Sequence, residues 1–334
     1  KYLPDIFRMC LSGADVDLLL LLPGKTTELA ESAGEDLQAI RDRLETLFRI
    51  GFVVRRMEGE DRYYDLVNDL EPSILPGNEI FKRIDQSQQE DFLDLWDRCF
   101  EEELVGSDGL TGADEPQLRV IPIERTIPMK WGEVLPQESL SSIIGNAKKL
   151  ALTECSCRVM ARKCDNPTDV CMLLDDFAEH CIERGSAHEI SINQAIDVLM
   201  RCEELGLVHQ LNNSEEGGYQ FICNCCSCCC TVLRGMVLLG KDFLAIKSRY
   251  VSSVDESLCM GCDLCERRCQ FHAIRIEDSV AIVDQDRCFG CGLCVSACPT
   301  RALKLVMVRG PEHITDRLLK KPESVFDDLA LGGR

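Results

Sequence analysis

The sequence predicts an α+β multidomain chain built from three folded parts. Three observations carry this. Residues 1–75 set apolar-periodic helices before a strand pair. The middle of the chain packs ten cysteines between helical stretches. The last part repeats one cysteine pattern twice. At 334 residues and 45% hydrophobic side chains, the chain is long enough for two or three separate cores.

In the first part, Val16 to Leu22 reads as an apolar helix stopped by Pro23-Gly24. Thr26 is expected to cap a second helix, Thr27 to Ala33, with Gly34 turning the chain. From Asp36 to Ile50, Leu37, Ile40, Leu44, Leu47 and Phe48 recur at helical spacing, and Gly51 ends the run. Phe52-Val-Val-Arg and Arg62-Tyr-Tyr-Asp-Leu-Val then form a hairpin around Glu58-Gly59-Glu60. This order resembles the winged-helix domains of transcription regulators, which implies DNA contact by the third helix and the wing. Charge argues for a different use. Residues 1–75 hold nine basic and fifteen acidic side chains, and Arg41, Arg43, Arg55 and Arg56 are a thin footprint for phosphates. A winged-helix-like protein-docking domain is the expectation.

Residues 76–117 read as an acidic helix and a linker. Phe81, Ile84, Phe92, Leu95 and Trp96 give residues 78–105 an apolar side. Eleven acids against Arg98 alone in 85–118 make the rest a solvated face, or a surface for a basic partner.

Residues 118–248 are expected to form a mostly helical, Cys-rich iron–sulfur domain. Leu118-Arg-Val-Ile-Pro-Ile-Glu is a strand segment and Pro136 to Lys149 a helix, capped near Gln137 or Ser139. Two more helices, 168–184 and 191–205, bring two cysteine stretches together. One holds Cys155, Cys157, Cys164 and Cys171; the other holds Cys223, Cys225, Cys226, Cys228, Cys229 and Cys230. Free thiols this dense would oxidise one another, so a soft metal is expected. Ten candidate ligands exceed the eight that two cubanes need. The simplest partition gives each stretch one cluster, and another shares ligands between the stretches. A third has one cubane beside a non-cubane cluster. Structural zinc for one set is a further reading. Consecutive cysteines point to different sides in most backbone conformations, so a Cys-Cys pair suits two clusters, or two irons of one. Arg158 either offsets cluster charge or lies on the surface. His180, His188 and His209 are candidate ligands or proton carriers, more simply ordinary helix and turn residues. Cys10, Cys99, Cys181 and Cys202 read as core cysteines.

Residues 249–310 carry the sharpest signal. Cys259, Cys262, Cys265 and Cys269 follow C-x2-C-x2-C-x3-C, and Cys288, Cys291, Cys294 and Cys298 repeat it. Asp255 and Asp284 stand four residues ahead of each run, and Ala273-Ile-Arg-Ile matches Ala302-Leu-Lys-Leu. Three closely spaced thiolates wrap one face of a cubane, and the fourth points to its neighbour. Cys259, Cys262, Cys265 and Cys298 therefore go to one [4Fe-4S] cluster, and Cys288, Cys291, Cys294 and Cys269 to the other. The segment resembles the two-cluster bacterial-type ferredoxins. One position departs from that pattern: the proline after the fourth cysteine is kept as Pro299 but is Gln270 in the first half. Residues 119–300 together resemble iron–sulfur electron-transfer proteins of anaerobic bacteria and archaea. In the tail, 311–334, Leu318, Leu319, Val325, Phe326 and Leu329 could pack on a partner or on the domain.

Acids outnumber bases by 57 to 37, a formal charge of −20, which disfavours nucleic acid and acidic membranes. No apolar run is long enough to span a bilayer, and no signal peptide is visible. With 22 cysteines, this points to a reducing, oxygen-poor cytoplasm. The expected function is electron carriage, as a subunit of a larger anaerobic oxidoreductase with a redox partner protein and no catalytic residue of its own. No G-x-G-x-x-G or complete Walker loop is present, so flavin or nicotinamide chemistry falls to another subunit. Two rivals follow from the same features: a redox-sensing DNA-binding regulator, and an enzyme with a substrate-binding cluster in 155–230.

Overall fold

The computed structural model describes residues 1–67, 78–104, 116, 118–127, 134–212, 220–240 and 244–315. The linker expected at 106–116 lies outside these apart from Pro116, as do Leu318, Leu319, Val325, Phe326 and Leu329. No helix among the described residues is long and apolar enough to cross a membrane.

The first part runs α1 (Leu3–Cys10), α2 (Gly13–Leu19), β1 (Gly24–Lys25), α3 (Thr26–Ala33), α4 (Leu37–Arg49) and a hairpin of β2 (Val53–Glu58) and β3 (Asp61–Leu66). The strand order is β1-β3-β2, all antiparallel. Short polar side chains set the helix starts. Ser12 accepts from the Asp15 N–H, and Asp36 accepts from those of Gln38 and Ala39. Thr26 lies inside α3 rather than capping it. Its hydroxyl instead donates to the Arg62 carbonyl at 3.1 Å, tying the helix to the hairpin, and Glu28 accepts from the Lys25 N–H.

The acidic stretch breaks into α5 (Asn78–Phe81) and α6 (Gln89–Cys99), followed by a π-helical turn, Phe100–Leu104. Its apolar side is core. Phe92 and Trp96 are fully buried in one cluster with Ile6, Phe48, Tyr64 and, from the middle part, Met160. Its acids face the same neighbour. Asp97 pairs with Lys163 at 3.2 Å and Arg234 at 2.6 Å, Glu101 pairs with both, and Asp94 pairs with Arg162. The expected solvated face is therefore in part an internal docking surface.

The middle part contains β4 (Leu118–Val120), α7 (Leu140–Asn146), β5 (Leu150–Glu154), α8 (Ser156–Ala161), β6 (Asp169–Leu174), α9 (Asp175–Arg184), β7 (Ala187–Glu189), α10 (Ile192–Leu205), β8 (Val208–Asn212), β9 (Phe221–Cys225), α11 (Thr231–Leu239) and β10 (Ala245–Ile246). Here the expectation of a mostly helical domain is corrected. Its strands form a seven-stranded sheet, order β10-β4-β8-β9-β6-β5-β7, with only β10–β4 parallel. The expected helix 168–184 is strand β6 and then helix α9. Val170-Cys-Met-Leu-Leu is a short apolar run, and periodicity does not separate a strand from a buried helix over such a length. Ser139 caps α7 by accepting from the Ser142 N–H.

The last part comprises β11 (Tyr250–Val254), α12 (Leu264–Arg268), β12 (Ile274–Glu277), β13 (Val280–Val283), α13 (Leu293–Ala297) and β14 (Leu303–Met307), with α14 (Glu312–Thr315) after it. β11 pairs with β14 and β12 with β13. Two features seat this module on the middle part. Arg249 forms a fully buried pair with Glu138, Nε and Nη2 lying 2.8 and 2.7 Å from Oε2. Arg268 donates to the Glu203 and Glu204 carbonyls at the end of α10, where a cation also suits the helix dipole.

Candidate iron–sulfur and metal centres

In the C-terminal module the eight cysteines line two cavities. One, of about 330 Å³, is bounded by Cys269, Cys288, Cys291 and Cys294. The other, of about 320 Å³, is bounded by Cys259, Cys262, Cys265 and Cys298. Each cavity is thus lined by three cysteines of one run and the last cysteine of the other. The loops need glycine. Gly261 has φ +64, and a Cβ there would lie 2.6 Å from the Ser279 carbonyl oxygen. Gly290 has φ +68, and a Cβ there would collide with the Tyr250 carbonyl.

Both cavities aim donors at sulfur. The backbone N–H groups of Ala273, Ser252 and Ala281 donate to Cys269, Cys288 and Cys259 at 3.3, 3.4 and 3.4 Å. The Ser252 hydroxyl lies 3.3 Å from Cys294 Sγ. Such donors stabilise negative sulfur, so the residues fit a thiolate-bound cluster. Without one, burial pushes the Cys294 thiol up to about 12 and the Cys265 thiol up to about 11. Cluster binding therefore releases protons.

Residues 252–305 match the family model of the 4Fe-4S dicluster domain. The C-terminal module is thus a ferredoxin-like dicluster module holding two [4Fe-4S] clusters, and the chain has an iron–sulfur electron-transfer role. No curated protein matches the chain.

The middle cysteines come from six places: the N-cap of α8 just after β5 (Cys155), the first turn of α8 (Cys157), the loop beyond it (Cys164), β6 (Cys171), β9 (Cys223, Cys225) and the turn into α11 (Cys226 to Cys230). They do not divide by stretch. Cys164 joins Cys226, Cys228 and Cys229, all four thiols lying within 4.8 Å of one another. The other six run thiol to thiol in the order Cys157, Cys155, Cys171, Cys223, Cys225, Cys230. The register explains part of this. Met172 pairs with Ile222 across β6 and β9, which sets Cys171 opposite Cys223, and Cys225 follows on the same face. The thiols thus lie together across the two stretches, Cys164 of the first beside Cys226, Cys228 and Cys229 of the second. Cys225–Cys226 and Cys229–Cys230 each put one thiol in either group, so two peptide bonds join the groups.

Arg158 is buried at 2% exposure. Its Nη2 lies 3.4 Å from Cys226 Sγ and 3.2 Å from the Asn224 carbonyl. Contact with Cys229, and then Arg158, holds the Cys226 thiol down at about 4. The histidines stand apart from these groups. His209 Nδ1 is 2.6 Å from Asn224 Oδ1, His180 packs edge-on against Phe48, and His188 is exposed on β7. Cys10, Cys99, Cys181 and Cys202 are buried.

Several contributors carried no sequence signal. Phe271 and Phe289 stack at 4.5 Å beside the inner cavity, in one apolar cluster with Cys223, Cys225 and Cys230. Ser227, in the cysteine turn, donates to Gln270, the residue after Cys269. Only the missing proline at 270 could have drawn attention to that contact.

Proposed function

We propose that this chain is an electron-carrying subunit of an anaerobic oxidoreductase, passing single electrons between a surface partner and a third iron–sulfur centre in the middle part. A cluster supplies one-electron storage; the chain's residues set its surroundings and its neighbours. The observation that carries the reading is continuity of packing. Cys259, Cys265, Cys269, Cys294 and Cys298 share one cluster of side chains, which spans the two C-terminal cavities. Cys269, Cys288 and Cys291 share the next with Cys223, Cys225 and Cys230. The six-thiol group supplies more than the four ligands a cubane takes. At the other end, Cys262 and Met260 are exposed, which suits exchange with a partner protein.

The N-terminal part fits a docking role. Its element order resembles that of a winged helix, but most of its cations are paired with acids. Arg43 pairs with Glu35, and Arg49, Arg55 and Arg62 converge on Glu45. Arg55 also reaches Glu183 of the middle part at 3.7 Å. Little remains for DNA phosphates, and the partner we assign is a protein in a reducing cytoplasm. The two thiols of the six-thiol group beyond a cubane's four favour a second reading, an enzyme that binds substrate at that centre; it requires a substrate-dependent spectral change.

Anaerobic reductive titration with dithionite tests the proposal. Three electrons per chain, one for each cluster, are expected. Uptake of two would confine redox chemistry to residues 252–305 and remove the third centre.

A further inference from the structure

The four-thiol group has a geometry of its own. Cys164 Sγ lies 3.8 Å from Cys226 Sγ and 3.7 Å from Cys229 Sγ. Cys228 completes a quartet whose members all lie within 4.8 Å of each other. A single tetrahedral zinc ion with Zn–S lengths of about 2.3 Å holds its sulfurs about 3.8 Å apart. A cubane spreads four thiolates over the outer corners of a four-iron cage, which sets them wider. The chain contains its own comparison. Among the described residues, no three thiols of the two dicluster sets approach one another as the quartet does.

We propose that Cys164, Cys226, Cys228 and Cys229 bind one structural zinc ion. Cys226 and Cys229 have the two-residue spacing of a zinc turn, closed here by the Cys230 N–H donating to the Cys226 carbonyl at 3.0 Å. Four thiolates around Zn²⁺ leave two negative charges. Arg158 offsets one of them 3.4 Å from Cys226, and Asn166 Nδ2 supports Cys164 at 3.5 Å. All four positions are protein thiols, the closed arrangement of a structural rather than a catalytic site. Zinc has no redox chemistry, so this centre is not a station for electrons. Its role is positional. It fixes the 226–229 turn, and so directs Cys225 and Cys230, on either side, into the six-thiol group.

This stands whether or not the six-thiol group carries electrons. The test is zinc content and zinc-edge X-ray absorption of the full chain, purified anaerobically. One zinc per chain is expected, with four sulfur neighbours at about 2.3 Å and no iron beyond them. In Cys228→Ser, zinc should fall well below one per chain while the EPR signals of the dicluster pair persist. Zinc with nitrogen or oxygen neighbours, or a zinc-free chain with iron in the quartet, would overturn the proposal. The absorption measurement uses the unaltered chain, so misfolding of the variant cannot mask the result.

Discussion

The side-chain oxygen of Gln270 accepts two hydrogen bonds from Ser227, one from its backbone N–H and one from its hydroxyl, each 2.8 Å long. Ser227 lies inside the cysteine turn of the middle part, and Gln270 directly follows a ligand of the inner dicluster cavity. The Gln270 amide group donates in turn to the Gly206 carbonyl, at 3.0 Å, just past α10. Proline, found at the equivalent place as Pro299, has no side-chain acceptor or donor. The departure from the repeat is thus one of the contacts that join the two cysteine regions.

Gln270→Ala should leave the Ser227 N–H and the Gly206 carbonyl without their partners at a part-buried junction. A loss of about 1–3 kcal/mol is expected. Anaerobic thermal melting of the metal-loaded chain measures it. An unchanged melting temperature would mean that the contact does not hold the module in place.

The Arg249–Glu138 pair is buried on both sides, at 2% and 1% side-chain exposure. Glu138→Gln removes the buried carboxylate that faces Arg249, at a cost of about 3–5 kcal/mol. The double variant with Arg249→Met should recover part of that loss. If the double variant is less stable than Glu138→Gln, the pair contributes through packing rather than charge.

Burial, with Arg184 and Arg55 close by, holds His180 down at about 3 against an ordinary 6.5. A depressed folded pKa favours the neutral ring in the native state. Its contribution is fully present above about 6.5 and is lost as pH falls toward 3. His180→Leu should therefore flatten the stability profile between pH 6.5 and 4. Identical slopes in denaturant titrations would show that protonation of this ring does not oppose folding.

Cys269 lines a cavity with Cys288, Cys291 and Cys294, away from the other cysteines of its own run. Cys269→Ser should disturb the cluster held with Cys288, Cys291 and Cys294 and leave that of Cys259, Cys262, Cys265 and Cys298 intact. EPR of the reduced variant would then show one unperturbed dicluster signal without its magnetic interaction. Loss of the signal from the 259–265 cluster instead would reverse the assignment.

The dicluster module was legible in the sequence because its constraint is local. Spacing such as Cys259 to Cys269 encodes one backbone path, and the repeat encodes it twice. The helix limits at Asp36 and Gly34 were legible for the same reason. The seven-stranded sheet was not, because β5, β6 and β9 are short apolar or cysteine runs whose partners are distant in sequence. The partition of the middle cysteines depended on that sheet. Only the register of Met172 with Ile222 brings Cys171 to Cys223, and only then does Cys164 fall to the other group. Arg158 could be read as buried or exposed until Cys226, 68 residues away, was placed beside it.

The proposed electron path requires that the middle six-thiol group carry a redox cluster in contact with the centre of Cys269, Cys288, Cys291 and Cys294. EPR of the fully reduced chain, compared with Cys223→Ser at matched dicluster iron content, tests it most directly. A third S = 1/2 component is expected in the unaltered chain and lost in the variant, with simplification of the interaction-broadened signal from the neighbouring dicluster centre. Superimposable spectra from the two proteins would contradict it and leave the dicluster pair as the chain's whole electron path.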